Sequence, residues 1–178
     1  GGSKRHTVVQ ASKNGFFYVL DVATGKLLSA RPYTDVKWAT GVDMQTGRPD
    51  VVPEARTTLT GQVFNLVPGP AGGHSWQSMS YSPVTGLLYI PTWENYSAMS
   101  PQVRPTDGKL PPLIAFGGRV DRATLKPHGK QANDGWLQAW DPVARKVVWE
   151  TPKGPRATSG VLATGGNLLP AIVAFKHF

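Results

Sequence analysis

The feature that most constrains this chain is a tight-turn signature, Asp-x-x-Thr-Gly, set between short apolar runs and used repeatedly. Phe16-Phe17-Tyr18-Val19-Leu20 leads into Asp21-Val22-Ala23-Thr24-Gly25 and out through Lys26-Leu27-Leu28-Ser29-Ala30. The spacing predicts strand, turn, strand: the Asp carboxylate accepts from backbone N–H groups two and three residues on, and Gly supplies the positive φ that closes the hairpin. Asp43-Met44-Gln45-Thr46-Gly47 repeats the signature in full. Ser82-Pro83-Val84-Thr85-Gly86 repeats it with a hydroxyl, and Asp141-Pro142-Val143-Ala144-Arg145 in a degraded form. Further strands are expected over 87–91, 137–140 and 146–150, with another around Met79-Ser80-Tyr81 and a first over Thr7–Ala11. The repeats start at 21, 43, 82 and 141, so the period is loose. A strand–turn–strand unit recurring with inserted loops is what a radial array of small sheets produces. The reading is all-β, a β-propeller; a β-sandwich of similar hairpins is the competing architecture.

Composition supports that class by exclusion. Gly 20 and Pro 16 among 178 residues argue against a helical bundle or coiled coil, and six Trp, six Phe and five Tyr argue against a disordered tail. The formal net charge of +8 is scattered singly along the chain, so no nucleic-acid partner is expected. A basic nucleic-acid-binding β domain would require a groove that combines aromatic and basic side chains. Cysteine is absent, which excludes disulfides, a thiolate nucleophile and Cys-ligated metal. No apolar run is long enough for a transmembrane segment. Gly1-Gly2-Ser3-Lys4-Arg5-His6 has no signal-peptide hydrophobic stretch. The immediate opening into a strand reads as a cut through a larger body. Two Pro/Gly-rich stretches, Val51–Gly73 and Tyr96–Gly135, read as long segments without regular structure, either functional loops or chain packed on something larger.

No phosphate loop, dinucleotide fingerprint, zinc-protease helix or nucleophile elbow is present. The four His residues (6, 74, 128 and 177) lack paired spacing and read as surface or loop histidines. Asp21, Asp43 and Asp141 read as turn caps, and Glu54, Glu94, Asp107, Asp121 and Asp134 as loop carboxylates without an assignable partner. Lys13-Asn14-Gly15 precedes the strongest strand, where a Lys can project toward a central axis. Gly72-Gly73-His74-Ser75-Trp76 places an aromatic beside a Gly-rich entry, and a lone Trp of that kind reads first as core.

Four blocks in order carry a resemblance: Gln10–Asp21 around Lys13-Asn14-Gly15; Lys37-Trp38-Ala39-Thr40-Gly41-Val42-Asp43; Gly73-His74-Ser75-Trp76 continuing to Pro83; and Gly135-Trp136-Leu137-Gln138-Ala139-Trp140-Asp141 continuing to Trp149. Together they resemble the pyrroloquinoline-quinone (PQQ) dependent alcohol dehydrogenases, and the last block is similar to that family's tryptophan-docking repeat. The resemblance runs from about Val8 to Leu169. It implies that 1–169 is an incomplete β-propeller, several four-stranded antiparallel blades of an eight-bladed quinoprotein propeller, and that 170–178 is a tail unlike the family, read as a frameshift or early stop. It also implies PQQ near the axis, a calcium or lanthanide ion on its reactive carbonyl, and an Asp as general base. A small alcohol would be the substrate, a cytochrome or haem domain the electron acceptor, and the periplasm the location.

Residue by residue, Lys13 matches the family's Lys or Arg at the quinone oxygens. Trp76 matches the Trp of a His-Asn-Trp block beside the cofactor, and Ser75 stands where that block has Asn, so its shorter side chain weakens any direct contact. These three are the cofactor-binding candidates. The family's catalytic Asp and metal ligands lie upstream of the Lys-Asn-Gly strand, so no catalytic or metal residue is assigned, and the chain alone is expected to be inactive. The alternative function is a non-catalytic propeller scaffold or binding module that has lost the redox site. Unpaired blade edges would favour self-association.

Overall fold

The computed structural model describes residues 5–99, 134–155 and 159–166. Eleven strands follow in chain order: β1 (Thr7–Ala11), β2 (Phe16–Asp21), β3 (Leu27–Pro32), β4 (Ala39–Val42), β5 (Pro49–Val51), β6 (Phe64–Leu66), β7 (Ser80–Ser82), β8 (Leu87–Trp93), β9 (Ser97–Met99), β10 (Asp134–Asp141) and β11 (Lys146–Pro155). Between β5 and β6 lie one turn of 3-10 helix (Pro53–Ala55) and α1 (Thr57–Thr60). No helix among the described residues is long and apolar enough to cross a membrane.

β1, β2 and β3 form a three-stranded antiparallel sheet. β7, β8, β10 and β11 form a four-stranded antiparallel meander in the order β11-β10-β8-β7. Two small ladders accompany them, β4 with β5 and β6 with β9. The last pairing corrects the expectation that Val51–Gly73 lacks regular structure. That stretch supplies β6, α1 and the 3-10 turn, because β6 finds its partner only in β9, more than thirty residues along the chain. The second irregular stretch begins with β9, and its 100–133 portion lies outside the described residues, as does the boundary expected at 169.

All four predicted turns close the same way. Gly25, Gly47, Gly86 and Arg145 each donate their N–H to the carbonyl of the residue four positions earlier, at 2.7–2.8 Å. Asp21 Oδ1 accepts from the N–H groups of Ala23 and Thr24 and from the Thr24 hydroxyl, each at 3.0 Å. Asp43 accepts from Gln45 N–H at 2.7 Å and the Thr46 hydroxyl at 2.9 Å, and Asp141 from Val143 and Ala144 at 2.8 Å. The Thr24 hydroxyl and backbone hold the Asp21 carboxyl below its ordinary value, and Gln45 N–H and Thr46 do the same for Asp43. The capping is therefore fully present above the usual carboxylate range and is lost as pH falls through these lowered values.

The fourth turn retains the geometry at a cost. Gly25, Gly47 and Gly86 have φ of 69°, 73° and 69°, and Arg145 is forced to 60°. A side chain in the left-handed region costs about 1–2 kcal/mol, and glycine returns about 0.5–1 kcal/mol of that as extra unfolded-state freedom. Arg145→Gly is therefore expected to stabilise the chain by about 0.5–1 kcal/mol. A urea midpoint unchanged or lowered in the variant would refute this.

The two larger sheets pack face to face. Ala11, Phe17 and Tyr33 from the first meet Leu88, Ile90 and Trp140 from the second, and the rings of Phe17 and Trp140 are 5.1 Å apart. Because side chains alternate along a strand, Tyr89, Leu137 and Ala139 face the opposite way, where Val161 covers them. The 159–166 segment is held there by Val161 N–H on the Ser78 carbonyl (3.1 Å) and Ala163 N–H on the Ser80 hydroxyl (2.8 Å). The central strands β8 and β10 are thus covered on both faces, whereas Tyr81, Val148 and Trp149 on the outer strands are exposed. Cover on both faces is what a propeller blade receives from its neighbours and a two-layer sandwich does not provide.

Candidate functional site

The connection between β1 and β2 is the turn Ser12-Lys13-Asn14-Gly15. Asn14 organises it locally: its Oδ1 accepts from Phe16 N–H at 3.0 Å, and its Nδ2 donates to the Tyr18 hydroxyl at 2.8 Å. Lys13 projects from this turn with its side chain exposed, and among the described residues its ammonium has no carboxylate partner.

The second component is the segment between β6 and β7. Gly73 joins the two sheets: its N–H donates to the Lys13 carbonyl at 3.1 Å, and its carbonyl accepts from Trp93 N–H at 2.7 Å at the end of β8. The approach is close enough to demand glycine. A Cβ on Gly72 would stand 2.6 Å from Lys13 Cγ and 2.8 Å from the Lys13 carbonyl oxygen, at a φ of +82°. One on Gly73 would stand 2.6 Å from Thr34 Cγ2 and 2.9 Å from the Tyr33 hydroxyl. The Lys13 side chain therefore passes over Gly72. Gly72→Ala is expected to cost about 1–3 kcal/mol through the left-handed backbone and the displaced Lys13 turn. Urea unfolding would measure the loss, and a cost below about 0.5 kcal/mol would contradict the packing argument.

His74 is buried rather than at the surface, and its Nδ1 lies 2.8 Å from the Pro91 carbonyl. The reason lies in β8. β7 pairs β8 only as far as Tyr89, so Pro91 loses no ladder bond by lacking an N–H, and its carbonyl is left for the imidazole. Burial pushes the His74 pKa below its ordinary value, and the hydrogen bond to Pro91 opposes that in part. Neutral His74, donating from Nδ1, anchors the residues that follow.

Those residues are Ser75 and Trp76. Ser75 is half-buried, with its N–H on Gln77 Oε1 at 3.2 Å. Trp76 is 77 % exposed, which overturns the expectation that a lone Trp here is core. Its neighbours His74 and Gln77 are the buried residues of this segment. The backbone of Trp76 lies three residues from Gly73, within roughly 11 Å of it by chain length alone. The structure thus brings the Lys13 turn and the Ser75-Trp76 segment together, although they are far apart in sequence.

Two further groups adjoin this joint, neither of them a site candidate in the sequence. Tyr33 is buried and donates its hydroxyl to the Ser12 carbonyl at 2.7 Å. Glu94, read from sequence as a loop carboxylate, is buried too, and accepts from the Thr34 hydroxyl at 3.1 Å and the Tyr96 hydroxyl at 3.4 Å. Burial, then the charge of Glu94, pushes the Tyr33 phenol far above its ordinary pKa, so it serves as a donor throughout the accessible range. Clefts of about 500 and 960 Å³ lie elsewhere, along Leu28, Met44 and Arg145, and neither is lined by Lys13, Ser75 or Trp76. Lys13 and Trp76 are both exposed. Lys13 carries a positive charge without a carboxylate partner among the described residues, and Trp76 an exposed flat indole; groups of these two kinds suit a planar anionic molecule. Among the described residues no three His, Asp or Glu side chains gather as a metal site.

No protein-family model matches the chain. Over 177 aligned residues it is 41% identical to the dehydrogenase subunit of an alcohol dehydrogenase (quinone) from Gluconacetobacter polyoxogenes, covering 94% of this chain and 23% of that protein. It is 41% identical over 169 residues to the quinohemoprotein alcohol dehydrogenase ADH IIB of Pseudomonas putida, covering 94% of this chain and 24% of that protein. Among solved structures, the quinohemoprotein alcohol dehydrogenase ADHIIG of Pseudomonas putida HK5 superposes with a TM-score of 0.77 at 36% identity, covering 97% of this chain and 26% of that one. The chain spans about a quarter of the length of the relatives it matches.

Proposed function

Because this chain belongs to the quinoprotein alcohol dehydrogenase family and spans about a quarter of the length of its relatives, we propose that it works as one arc of a PQQ-dependent alcohol dehydrogenase propeller. Its part is to supply one wall of the cofactor site. The observation that carries this is the bond from Gly73 N–H to the Lys13 carbonyl, which couples the exposed Lys13 side chain to the exposed Trp76 segment. A non-catalytic scaffold would have no use for either exposed group.

PQQ, when bound, takes up the two electrons and hydrogens lost by the alcohol as it becomes an aldehyde or ketone. Lys13 presents fixed positive charge where negative charge grows on the quinone oxygens, a preorganised stabilisation that requires no solvent rearrangement. Trp76 offers a flat apolar face that excludes water from one side of the ring system. Ser75 contributes a single hydroxyl of shorter reach than the family's Asn. The described residues do not fit a calcium or lanthanide ion; the metal ligands and the general base of such an enzyme would come from other parts of the propeller. The same reading makes a cytochrome or haem domain the electron acceptor and the periplasm the site of action. Expressed alone, the chain is proposed to be inactive and to self-associate through the edges of β1 and β11.

The test is a graft. This chain replaces the matching quarter of the Pseudomonas putida ADH IIB relative, and the product is loaded with PQQ and calcium. Dye-linked oxidation of a primary alcohol within about tenfold of the parent supports the reading. A graft that folds and binds PQQ but is inert refutes it.

A further inference from the structure

We propose that Tyr33 and Trp38 are positioning residues for Lys13, acting through the backbone of its turn. The proposal rests on the Lys13 reading above and extends it to two side chains outside the proposed ligand wall. Three consecutive carbonyls of the turn each accept a hydrogen bond from a different distant part of the chain. The Ser12 carbonyl takes the Tyr33 hydroxyl at 2.7 Å, the Lys13 carbonyl takes Gly73 N–H at 3.1 Å, and the Asn14 carbonyl takes Trp38 Nε1–H at 2.9 Å. The turn is also closed on itself by Gly15 N–H to the Ser12 carbonyl at 3.1 Å. A short connection between strands ordinarily leaves such carbonyls to water. Here tertiary donors hold all three, so the base of Lys13 is rigid while its ammonium stays exposed.

Each donor is itself held. The Tyr33 ring is buried in the core between the two sheets, its N–H bonds the Gly15 carbonyl at 3.0 Å, and its hydroxyl lies against Gly73 as well as Ser12. One phenol oxygen thus touches both halves of the site. Trp38 packs edge-on against Phe16 at 6.1 Å, and its carbonyl accepts from Val52 N–H at 3.0 Å, just beyond β5. The β4–β5 hairpin, closed by the second Asp-x-x-Thr-Gly turn, therefore serves to deliver an indole N–H to the Lys13 turn. A flexible four-carbon side chain can direct its charge usefully only from a fixed base.

Tyr33→Phe and Trp38→Phe each retain an aromatic ring and remove one donor. In the full 178-residue chain, amide exchange followed by NMR is expected to quicken about tenfold at Gly15 and Gly73 in Tyr33→Phe, and at Gly15 in Trp38→Phe, with β8 and β10 amides unchanged. Unchanged Gly15 and Gly73 amides in both variants would overturn the clamp. In the graft, equilibrium PQQ binding is measured in a double-mutant cycle. Tyr33→Phe is expected to weaken PQQ about 5–30-fold when Lys13 is present and less than about twofold once Lys13 is Met. Equal losses in both backgrounds would overturn positioning through Lys13 while leaving the role of Lys13 itself intact. If Lys13→Met leaves PQQ affinity unchanged, the reading of Lys13 fails and this proposal fails with it.

Discussion

Replacing Lys13 by Met in the grafted enzyme is expected to lower kcat/KM for a primary alcohol by about 10²–10³-fold, the usual loss when one preorganised donor to a developing negative charge is removed. Met is one atom shorter but keeps the unbranched apolar stem, so the packing of its first methylenes over Gly72 persists. Only the charge is lost. Because Lys13 is exposed and has no carboxylate partner among the described residues, its removal strands no buried group, and the fold should be unaffected. The check is therefore a pair of measurements, steady-state alcohol oxidation and urea unfolding. A large drop in rate with an unchanged midpoint is the predicted outcome. Rate and midpoint falling together would assign Lys13 a structural role, and wild-type rate would remove it from the site.

Trp140→Ala is expected to cost about 3–5 kcal/mol of stability, the largest effect of any single truncation proposed for this chain. Trp140 is fully buried and its ring sits 5.1 Å from Phe17 of the facing sheet, so it belongs to the contact between the two main sheets and not to one hairpin. Removing it opens a cavity where neither sheet can collapse without moving the other. Trp140→Phe should cost far less, about 1–2 kcal/mol, because the indole N–H has no hydrogen-bond partner to lose among the described residues. With a urea m-value of about 2 kcal/mol/M, the Ala variant should unfold roughly 2 M earlier and the Phe variant less than about 1 M earlier. Equal shifts for the two variants would mean that Trp140 matters for its N–H and not its volume.

The contrast between Lys13 and Trp140 also marks how much was legible in the linear chain. The Asp-x-x-Thr-Gly turns are local: carboxylate, hydroxyl and glycine all act within five residues, so four hairpins are readable from the amino-acid order, and even the degraded copy at Asp141 keeps the same closing bond. Strand alternation around Tyr89 and Ala139 is equally local. The pairing of β6 with β9 was invisible, because each is a three-residue strand with no pattern of its own and acquires one only by finding the other. The exposure of Trp76 was likewise unreadable. A lone aromatic carries the same signal whether it points in or out.

Resemblance identified Lys13, Ser75 and Trp76 as residue types in a familiar order, but order does not supply proximity. That came from Gly72 and Gly73, whose missing side chains let two segments touch, and from Tyr33 and Trp38, whose donors reach carbonyls 21 and 24 residues away. By itself the amino-acid order determined the turns, the all-β class and the kinship with quinone-dependent dehydrogenases, since each depends on interactions within a few residues or on matching strings. Only the folded chain decided that the Lys13 turn meets the segment leading to Trp76, through Gly73. That depends on backbone contacts between distant segments, and hydrogen bonds to carbonyls leave no trace in side-chain identity.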